Sequence, residues 1–248
     1  MANYKPALFN SEMVQALLEG RKTETRRVIK PQPAAKLYWT LNESCWPGYF
    51  SNSEEQRVYK PPFRPGDIIW VRETYRVDYL SNIIGTGRIQ YKADGQYADI
   101  CFDSARYDIF RRAQRKHGWQ SCECMPREAA RLFLRVVDVH VDRLQDINGL
   151  DAYNEGAIAP VPAGCLPPKK PAEYDSWSKE KQEAWIQSMA RAVYMSKLHF
   201  SDLLIKEFRT IWDKTIRPED KKAFSWAANP YVWVICFEKV DKPSNWID

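Results

Sequence analysis

The chain has 248 residues, of which 44% are hydrophobic and 13% aromatic, so its composition is that of a folded protein and not of a disordered one. Its net charge of +5 favours an anionic partner, such as nucleic acid or a phosphorylated small molecule. No apolar run reaches the roughly 18 residues of a membrane span, and the N-terminus lacks the pattern of a secretory signal. The six cysteines lack the dense spacing of a disulfide scaffold. The sequence therefore predicts a cytoplasmic protein with reduced thiols and no membrane partner, and it leaves the oligomeric state open.

The first predicted element is an amphipathic helix over residues 11–19, because apolar side chains recur on one face at helical spacing. Asn10 or Ser11 can cap its free N–H groups. Gly20 follows directly, and a glycine in this position can adopt the left-handed conformation that ends a helix. Residues 22–27 are therefore predicted to leave the helix as a turn or strand, with their side chains displayed beside the helix end.

Strands and irregular segments are predicted through the middle of the chain. Residues 31–62 are rich in proline and polar residues, which indicates an ordered but irregular loop. A Pro-Gly turn at 63–67 leads into a predicted strand over 68–73, and a further strand is predicted at 88–92. The clearest strand is 132–141, where the apolar face changes partway along and so suggests a β-bulge.

A helix is predicted after this strand, with Asp146 as its cap, running to about Glu155 and ending at Gly156. Glu155 would then lie in the last turn, where the negative end of the helix dipole disfavours a charged carboxylate. A proline-rich loop is predicted over 159–175.

Two more helices are predicted, over 178–196 and 201–213, with Ser201 as a natural cap for the second. The last strand, 231–237, is apolar on both faces and should therefore run through the middle of a sheet or barrel. Because helices and strands do not alternate as βαβ units, a doubly wound parallel sheet is not expected. The prediction is an α+β protein built on a small mixed β-barrel with helices on its flanks.

One segment carries a family resemblance: residues 20–27, Gly-Arg-Lys-Thr-Glu-Thr-Arg-Arg, resemble the Gly-x-Lys-x-x-Thr-x-Arg signature of ASCH domains, relatives of the RNA-binding PUA domains. The turn at 63–68 looks like a further family feature. So does the strand over 131–141 that leads into 144–147. The stretch 226–234 is similar to the large ASCH proteins carried by bacteriophages and prophages.

This resemblance implies a PUA-like (ASCH) mixed β-barrel with flanking helices and long loop insertions. It implies a single domain over 1–248, with the insertions at about 31–62, 96–124 and 159–199. The chain is more than twice as long as the compact enzymes of the family. We therefore expect the insertions to change which substrate is bound more than they change the fold.

The resemblance also implies a chemistry, because one branch of the family consists of small bacterial amidohydrolases that remove the acyl group from N4-acetylcytidine with a Lys, a Thr and a Glu. These correspond here to Lys22, Thr25 and Glu155. The basic neighbours of Lys22 favour its use as a base, which would activate the otherwise inert hydroxyl of Thr25. Glu155 would position Lys22 and shuttle a proton.

Further side chains are predicted to contact the substrate. Aromatic residues next to basic ones suit stacking on bases, although core packing is the competing explanation for each such pair. The predicted substrate-binding residues are Arg26, Arg27, Arg72, Glu73 and Tyr91. The predicted partner is a modified pyrimidine nucleoside or a nucleic acid, and neither a cofactor nor a metal ion is expected.

Other functions remain open for the same residues. One is a non-catalytic RNA- or DNA-binding module that recognises a modified or flipped base, and another is a ribonuclease that uses the same pocket. A purely structural interpretation makes Lys22, Arg26 and Arg27 a solvated basic turn, Thr25 a strand residue and Glu155 an exposed helix end.

Two more groups of residues have competing interpretations. Cys122 and Cys124, with His117 and either Cys45 or Cys101, could form a zinc site, but Cys-x-Cys is not the usual spacing and free thiols are favoured. The basic stretch 106–116 is predicted to be helical. It is either a solvated face or, in a nucleic-acid binder, a phosphate-binding surface.

Overall fold

Strands and helices follow one another along the chain without βαβ alternation, so the protein belongs to the α+β class, as the sequence predicts. A computed structural model describes residues 3–39, 49–52, 54, 57–81, 85–159, 173–244 and 246, without the side chains of 175 and 189–199. The chain divides into two compact units. One contains Met1–Asp142 and Tyr231–Asp248, and the other contains Arg143–Pro230. The single ASCH-like domain expected over 1–248 stays a prediction.

The described residues form eleven strands, which are β1 (Tyr4–Leu8), β2 (Glu24–Val28), β3 (Tyr38–Trp39), β4 (Phe50–Ser51), β5 (Val58–Tyr59), β6 (Ile68–Arg72), β7 (Tyr75–Ser81), β8 (Thr86–Tyr91), β9 (Tyr97–Cys101), β10 (Phe133–Arg143) and β11 (Tyr231–Val240). They also form five α-helices, which are α1 (Ser11–Leu18), α2 (Ser104–Arg115), α3 (Gly149–Asn154), α4 (Lys179–Thr215) and α5 (Lys221–Phe224). Short 3-10 turns connect several of these elements.

The largest sheet belongs to the first unit and has five strands in the order β1-β6-β10-β11-β2. β1 and β6 run parallel, whereas β10 is antiparallel to β6 and β11 is antiparallel to β2. The main hydrophobic core combines side chains of this sheet with Val14 and Leu17 of α1. The prediction that the last strand runs inside a sheet is confirmed, because β11 has a neighbour on each side and residues 231–235 are all buried.

Two smaller sheets have three strands each. β3, β4 and β5 are two-residue strands that form one of them, within the segment predicted as an irregular loop. β7, β8 and β9 form the other, and α2 packs against β7. None of the three sheets closes into a barrel within the described ranges, so the α+β class is confirmed and the barrel is not.

The insertion expected at 96–124 is not a loop, because it contains β9 and α2. Asp103 caps α2 by accepting a hydrogen bond from the backbone N of Arg106 at 2.9 Å. Phe110 is fully buried in the core of the β7-β8-β9 sheet and holds the helix there. The prediction that the basic stretch 106–116 is helical is therefore confirmed, apart from its last residue, which is the C-cap.

Several local predictions around the large sheet are also confirmed. The side chain of Asn10 caps α1 by accepting from the backbone N of Met13 at 2.8 Å, and Gly20 has a φ of +74° after the helix ends. In β10 the buried face changes as predicted, since Val136 and Val139 are buried, but Val137 is half exposed and does not belong to the buried set.

Two predictions in the second unit are wrong. Asn148, and not Asp146, caps the helix that precedes Glu155, because its side chain accepts from two backbone N–H groups while the Asp151 side chain accepts from the backbone N–H of Asn148. The helices expected at 178–196 and 201–213 are one continuous helix, α4, with 37 residues. No glycine or proline interrupts the sequence of α4, so Ser201 lies inside the helix and not at its start.

The structure describes only the ends of the proline-rich loop that the sequence predicts after α3. Most of the loop expected at 159–175, residues 160–172, lies outside the described residues. Ser178 caps α4 by accepting from the backbone N of Lys181.

No helix in the described part of the chain is both long and apolar enough to span a membrane.

Candidate functional site

The signature segment forms the turn after α1 and the strand β2. The backbone N–H groups of Arg21 and Lys22 both donate to the carbonyl of Ala16, which holds the turn against the helix end. β2 then pairs with β11, so that Thr25 lies opposite Ile235 and Arg27 lies opposite Trp233. Both partners on β11 belong to the main core.

Alternation along β2 divides the segment between two faces of the sheet. Glu24 and Arg26 share one face and form a buried ion pair, with 2.7 Å between Oε1 and Nη1. Thr25 and Arg27 fall on the other face. Thr25 is only 3% exposed.

Lys22 is buried, with 3% of its surface exposed, and its Nζ donates to the backbone carbonyl of Glu24 at 2.9 Å. The Nζ atom also lies 5.8 Å from the centre of the Phe9 ring. The guanidinium of Arg27 lies 5.6 Å from the same ring centre and donates to the carbonyl of Leu8 at 3.0 Å. Phe9 is therefore a shared aromatic contact for two cations of the signature.

These burials decide against one interpretation of the sequence. A solvated basic turn would expose its side chains, yet Lys22 and Arg26 are both buried. Glu155, which that interpretation placed at an exposed helix end, is 6% exposed. Burying ionisable groups is costly unless they are paired, so the segment is not a solvated surface.

Glu155 is the C-cap of α3 in the second unit. Its backbone N–H donates to the carbonyl of Asp151 at 2.8 Å, and Gly156 follows with a φ of +100°. The helix end at Glu155 and Gly156 is therefore as predicted. Because Lys22 and Thr25 belong to the first unit, the meeting of Glu155 with them stays a prediction.

A cavity of about 480 Å³ lies beside the far end of β2, within the first unit. Arg27, Lys30 and Lys60 are among the residues that line it, together with the rings of Phe63 and Trp233. The described lining residues include no acidic side chain. A space of this volume, with aromatic walls and three cations, fits a small ligand that combines a flat ring with negative charge.

Arg72, Glu73 and Tyr91 are the other predicted substrate-binding residues. The backbone carbonyl of Arg72 accepts from the backbone N–H of Phe9, whose ring contacts Lys22. The side chain of Arg72 points elsewhere: its guanidinium donates to the carbonyl of Glu123 and lies over the ring of Trp70. The Glu73 carboxylate and the Tyr91 ring belong to a different cluster, which surrounds Arg131. Their roles in substrate binding stay predictions.

Arg131 is the centre of that cluster. Its guanidinium donates to both carboxylate oxygens of Glu73 and to Asp94, and it lies 3.8 Å from the centre of the Tyr91 ring. Burial raises the pKa of Glu73 above its ordinary value, while the hydrogen bonds and charge of Arg131 act in the opposite direction. Burial also raises the pKa of Tyr91, whose hydroxyl donates to the carbonyl of Ala129 at 2.8 Å.

The cysteines give no support to the zinc hypothesis. Cys101, Cys122 and Cys124 are free thiols, and Cys45 lies outside the described residues. Among the residues that the structure describes, the only group with metal-ligating atoms close together is Asp138, His140 and Cys236. His140 is already held by hydrogen-bonding distances to Asp138 and Asp142 on the same strand.

Sequence reasoning missed Glu24, Lys30, Lys60 and Trp233. Glu24 could have been found from its position two residues before Arg26, which puts both on one face of a strand. The others become neighbours only through the pairing of β2 with β11 and the path of the segment before β6. No spacing within the sequence shows those contacts.

The chain matches no model of a known protein family, no curated protein and no solved structure. Its function is therefore inferred from the residues of the signature segment and the neighbouring cavity.

Proposed function

We propose that the protein is an ASCH-type, PUA-like amidohydrolase that removes the acyl group from N4-acylated cytosine nucleosides, with Lys22, Thr25 and Glu155 as its catalytic residues. The observation that carries this proposal is the burial of Lys22, three residues from an equally buried Thr25. Lysines serve as general bases when they are desolvated, which is the situation of this side chain.

The chemistry follows from these residue types. Lys22 takes the proton of the attacking hydroxyl, which belongs to Thr25 or to a water that Thr25 orients. A bond forms between that oxygen and the acyl carbon, and the bond from the carbon to N4 breaks. Glu155 delivers the proton to N4 and cytidine leaves. Where Thr25 is the nucleophile, a water then attacks the acyl-Thr25 ester, the bond to the Thr25 oxygen breaks and the hydroxyl is restored, so that on either route the second product is a carboxylic acid.

The cavity at the end of β2 supplies the binding part of the proposal. Arg27 connects the two regions, because it contacts the Phe9 ring beside Lys22 and also lines the cavity. Trp233 and Phe63 offer apolar walls for a base, and Lys30 and Lys60 offer charge for a phosphate.

The decisive experiment is a turnover assay with N4-acetylcytidine that measures released cytidine by chromatography. Lys22→Gln and Glu155→Gln are each expected to lower kcat by about 10²- to 10⁴-fold, the usual contribution of a general acid or base. Thr25→Val, which removes the attacking or water-orienting hydroxyl, should also lower kcat. Thr25→Ser, which keeps the hydroxyl, should retain much of the activity.

Thr23→Val is the matched control, because Thr23 is an exposed threonine of the same segment and should be dispensable. Full turnover by Glu155→Gln would remove Glu155 from the mechanism. A wild-type protein that releases no cytidine from acetyl or longer acyl substrates would refute the proposal as a whole.

The cavity favours a second candidate, a non-catalytic module that binds a modified base. Three cations beside two aromatic rings suit the binding of a nucleotide whether or not any bond is broken. Saturable, salt-sensitive binding of an acylated nucleotide without turnover would support this candidate over the enzyme.

A further inference from the structure

A second basic surface lies on the β7-β8-β9 sheet, away from the signature segment in the sequence. We call it the Trp119 surface and define it by Arg76 of β7, the last two turns of α2 and residues 116–120. Trp119 is 42% exposed, and the guanidinium of Arg76 lies 5.2 Å from its ring centre. The Nε atom of Arg76 is buried and has no hydrogen-bond partner among the described residues.

Two hollows lie along α2 at this surface. One has a volume of about 460 Å³ and is lined by Arg76, Arg115 and His117, with Asp78 as its acidic residue. The other has a volume of about 280 Å³ and is lined by Arg112 and Lys116. The helix cations of both hollows project from neighbouring turns of α2, which is the spacing of a charged track and not of a single ion site.

The charge of the surface is unbalanced. The sequence from Arg106 to Lys116 contains five basic residues and one acidic residue, in a chain whose net charge is +5. Arg106 is paired with Glu128 at 3.1 Å, but no acidic side chain pairs with the four basic residues that follow it, within the part of the chain that is described. Those residues are Arg111, Arg112, Arg115 and Lys116.

The position of Trp119 is held from both sides. The backbones of Tyr75 and Gln120 exchange hydrogen bonds of 3.3 and 2.7 Å, which ties the segment to β7. Just before the tryptophan, His117 has a φ of +40°, a conformation that residues other than glycine rarely adopt. This turn lies two residues before the exposed indole of Trp119.

We propose that the Trp119 surface binds single-stranded nucleic acid, with phosphates on the cations of the two hollows and one base stacked on Trp119. An exposed aromatic ring beside unpaired cations matches the stacking platform and basic groove of single-strand binders. A duplex would leave the indole without a base to stack on. Identifying this strand with the substrate of the acylated-base site rests on the proposed function, whereas the binding itself does not.

The test is fluorescence anisotropy of the full-length protein with a labelled pyrimidine-rich RNA or DNA strand at several KCl concentrations. Trp119→Ala should weaken binding by about tenfold or more, in line with the cost of losing one stacked base. Trp39→Ala is the matched control, because Trp39 is 43% exposed and lies on a different sheet. It should bind as the wild type does.

The charge is tested separately with Arg115→Ala/Lys116→Ala. Each cation that no longer neutralises a phosphate of a single strand lowers the slope of log K against log salt by about 0.7. Removing two such cations should therefore give a slope smaller than that of the wild type by about 1.4. Arg57→Ala, which lies outside this surface, should leave the slope unchanged.

Three results would overturn this proposal: no binding, equal affinity for duplex, or equal affinity for poly-glutamate, which would indicate a protein partner. If Lys22→Gln still binds the labelled strand as the wild type does, strand binding at the Trp119 surface is independent of the proposed amidohydrolase activity, whether or not the wild type shows turnover. A protein without amidohydrolase activity that still needs Trp119 for strand binding would refute only the enzyme.

Discussion

Arg131 and Glu73 form a two-armed ion pair, with 2.8 Å between Nε and Oε1 and 2.9 Å between Nη2 and Oε2. Glu73 is 1% exposed, whereas Arg131 keeps some contact with solvent and holds Asp94 as well. The carboxylate therefore bears most of the desolvation, which is why burial raises its pKa despite the adjacent guanidinium.

The pH dependence of stability should reveal this imbalance. A carboxyl whose folded-state pKa lies above its ordinary value of 4.5 binds a proton more readily in the folded state, so its contribution to the free energy of unfolding is largest below pH 4.5. That contribution is lost as the pH rises through the folded-state pKa. Urea unfolding of wild type and Glu73→Gln between roughly pH 4 and 8 should show the wild type losing stability relative to the variant as pH rises. The opposite slope would contradict the prediction.

Removing only the cation of this pair should be far more damaging. Arg131→Met leaves the buried Glu73 carboxylate without its partner, which is expected to cost about 3–5 kcal/mol in unfolding free energy. Adding Glu73→Gln to that variant should recover a large part of the loss. The exposed pair of Arg88 and Asp99 provides the control, and Arg88→Met should leave the urea midpoint almost unchanged. Equal effects of the two arginine variants would show that burial does not govern these pairs.

The elements that could be predicted from the sequence are those whose signals are local. Asn10, the apolar face of α1 and Gly20 lie within a few residues of one another, and together they place the helix and the signature turn correctly. The wrong predictions concern helix caps, where more than one residue nearby has a side chain that could cap the helix. Asp146 and Asn148 both have cap-like side chains, and only the reciprocal bond from Asn148 to Asp151 decides for Asn148. Ser201 resembles a cap, but in the absence of a helix breaker it lies within α4.

The site was harder to predict because its contacts join distant parts of the chain. Lys22 lies against Phe9, and Arg27 and Trp233, which both line the cavity, come opposite each other although a long stretch of sequence separates them. Single-sequence patterns give the face of a strand but not its neighbours. For the same reason the ion pair of Glu73 with Arg131, 58 residues away, cannot be predicted from the sequence alone.

The capping assignment can be tested by comparing two nearby residues. Asn148→Ala removes a side chain that accepts from two backbone N–H groups and should destabilise the protein by about 1 kcal/mol. Asp146→Ala should have little effect, because Asp146 is exposed and lies in the preceding 3-10 turn. Chemical denaturation monitored by circular dichroism measures both. A larger loss for Asp146→Ala would restore the cap predicted from the sequence.

The cations of the cavity should distinguish a nucleotide from a nucleoside. If Lys60 faces a phosphate, cytidine 5′-monophosphate should bind more tightly than cytidine, and Lys60→Ala should remove most of that difference while leaving cytidine binding unchanged. Titration calorimetry with both ligands measures the effect, and Lys36→Ala serves as an exposed lysine control that does not line the cavity. A parallel loss of affinity for both ligands would mean that Lys60 acts by shaping the cavity and not by binding phosphate.

The alternation along β2 has a consequence for how much change the signature can tolerate. Its side chains alternate between the two faces of the sheet, so that Thr25 and Arg27 lie on one face and Glu24 and Arg26 lie on the other. One residue added or removed between Gly20 and Glu24, with the hydrogen-bonding of β11 kept, would exchange the two pairs. The internal salt bridge would then take the face that now carries Thr25 and Arg27, and the Thr25 hydroxyl would move to the opposite face. Homologous proteins that keep this chemistry should therefore keep the length of the turn, together with Gly20 and Lys22, and vary in residue type only at the other turn positions.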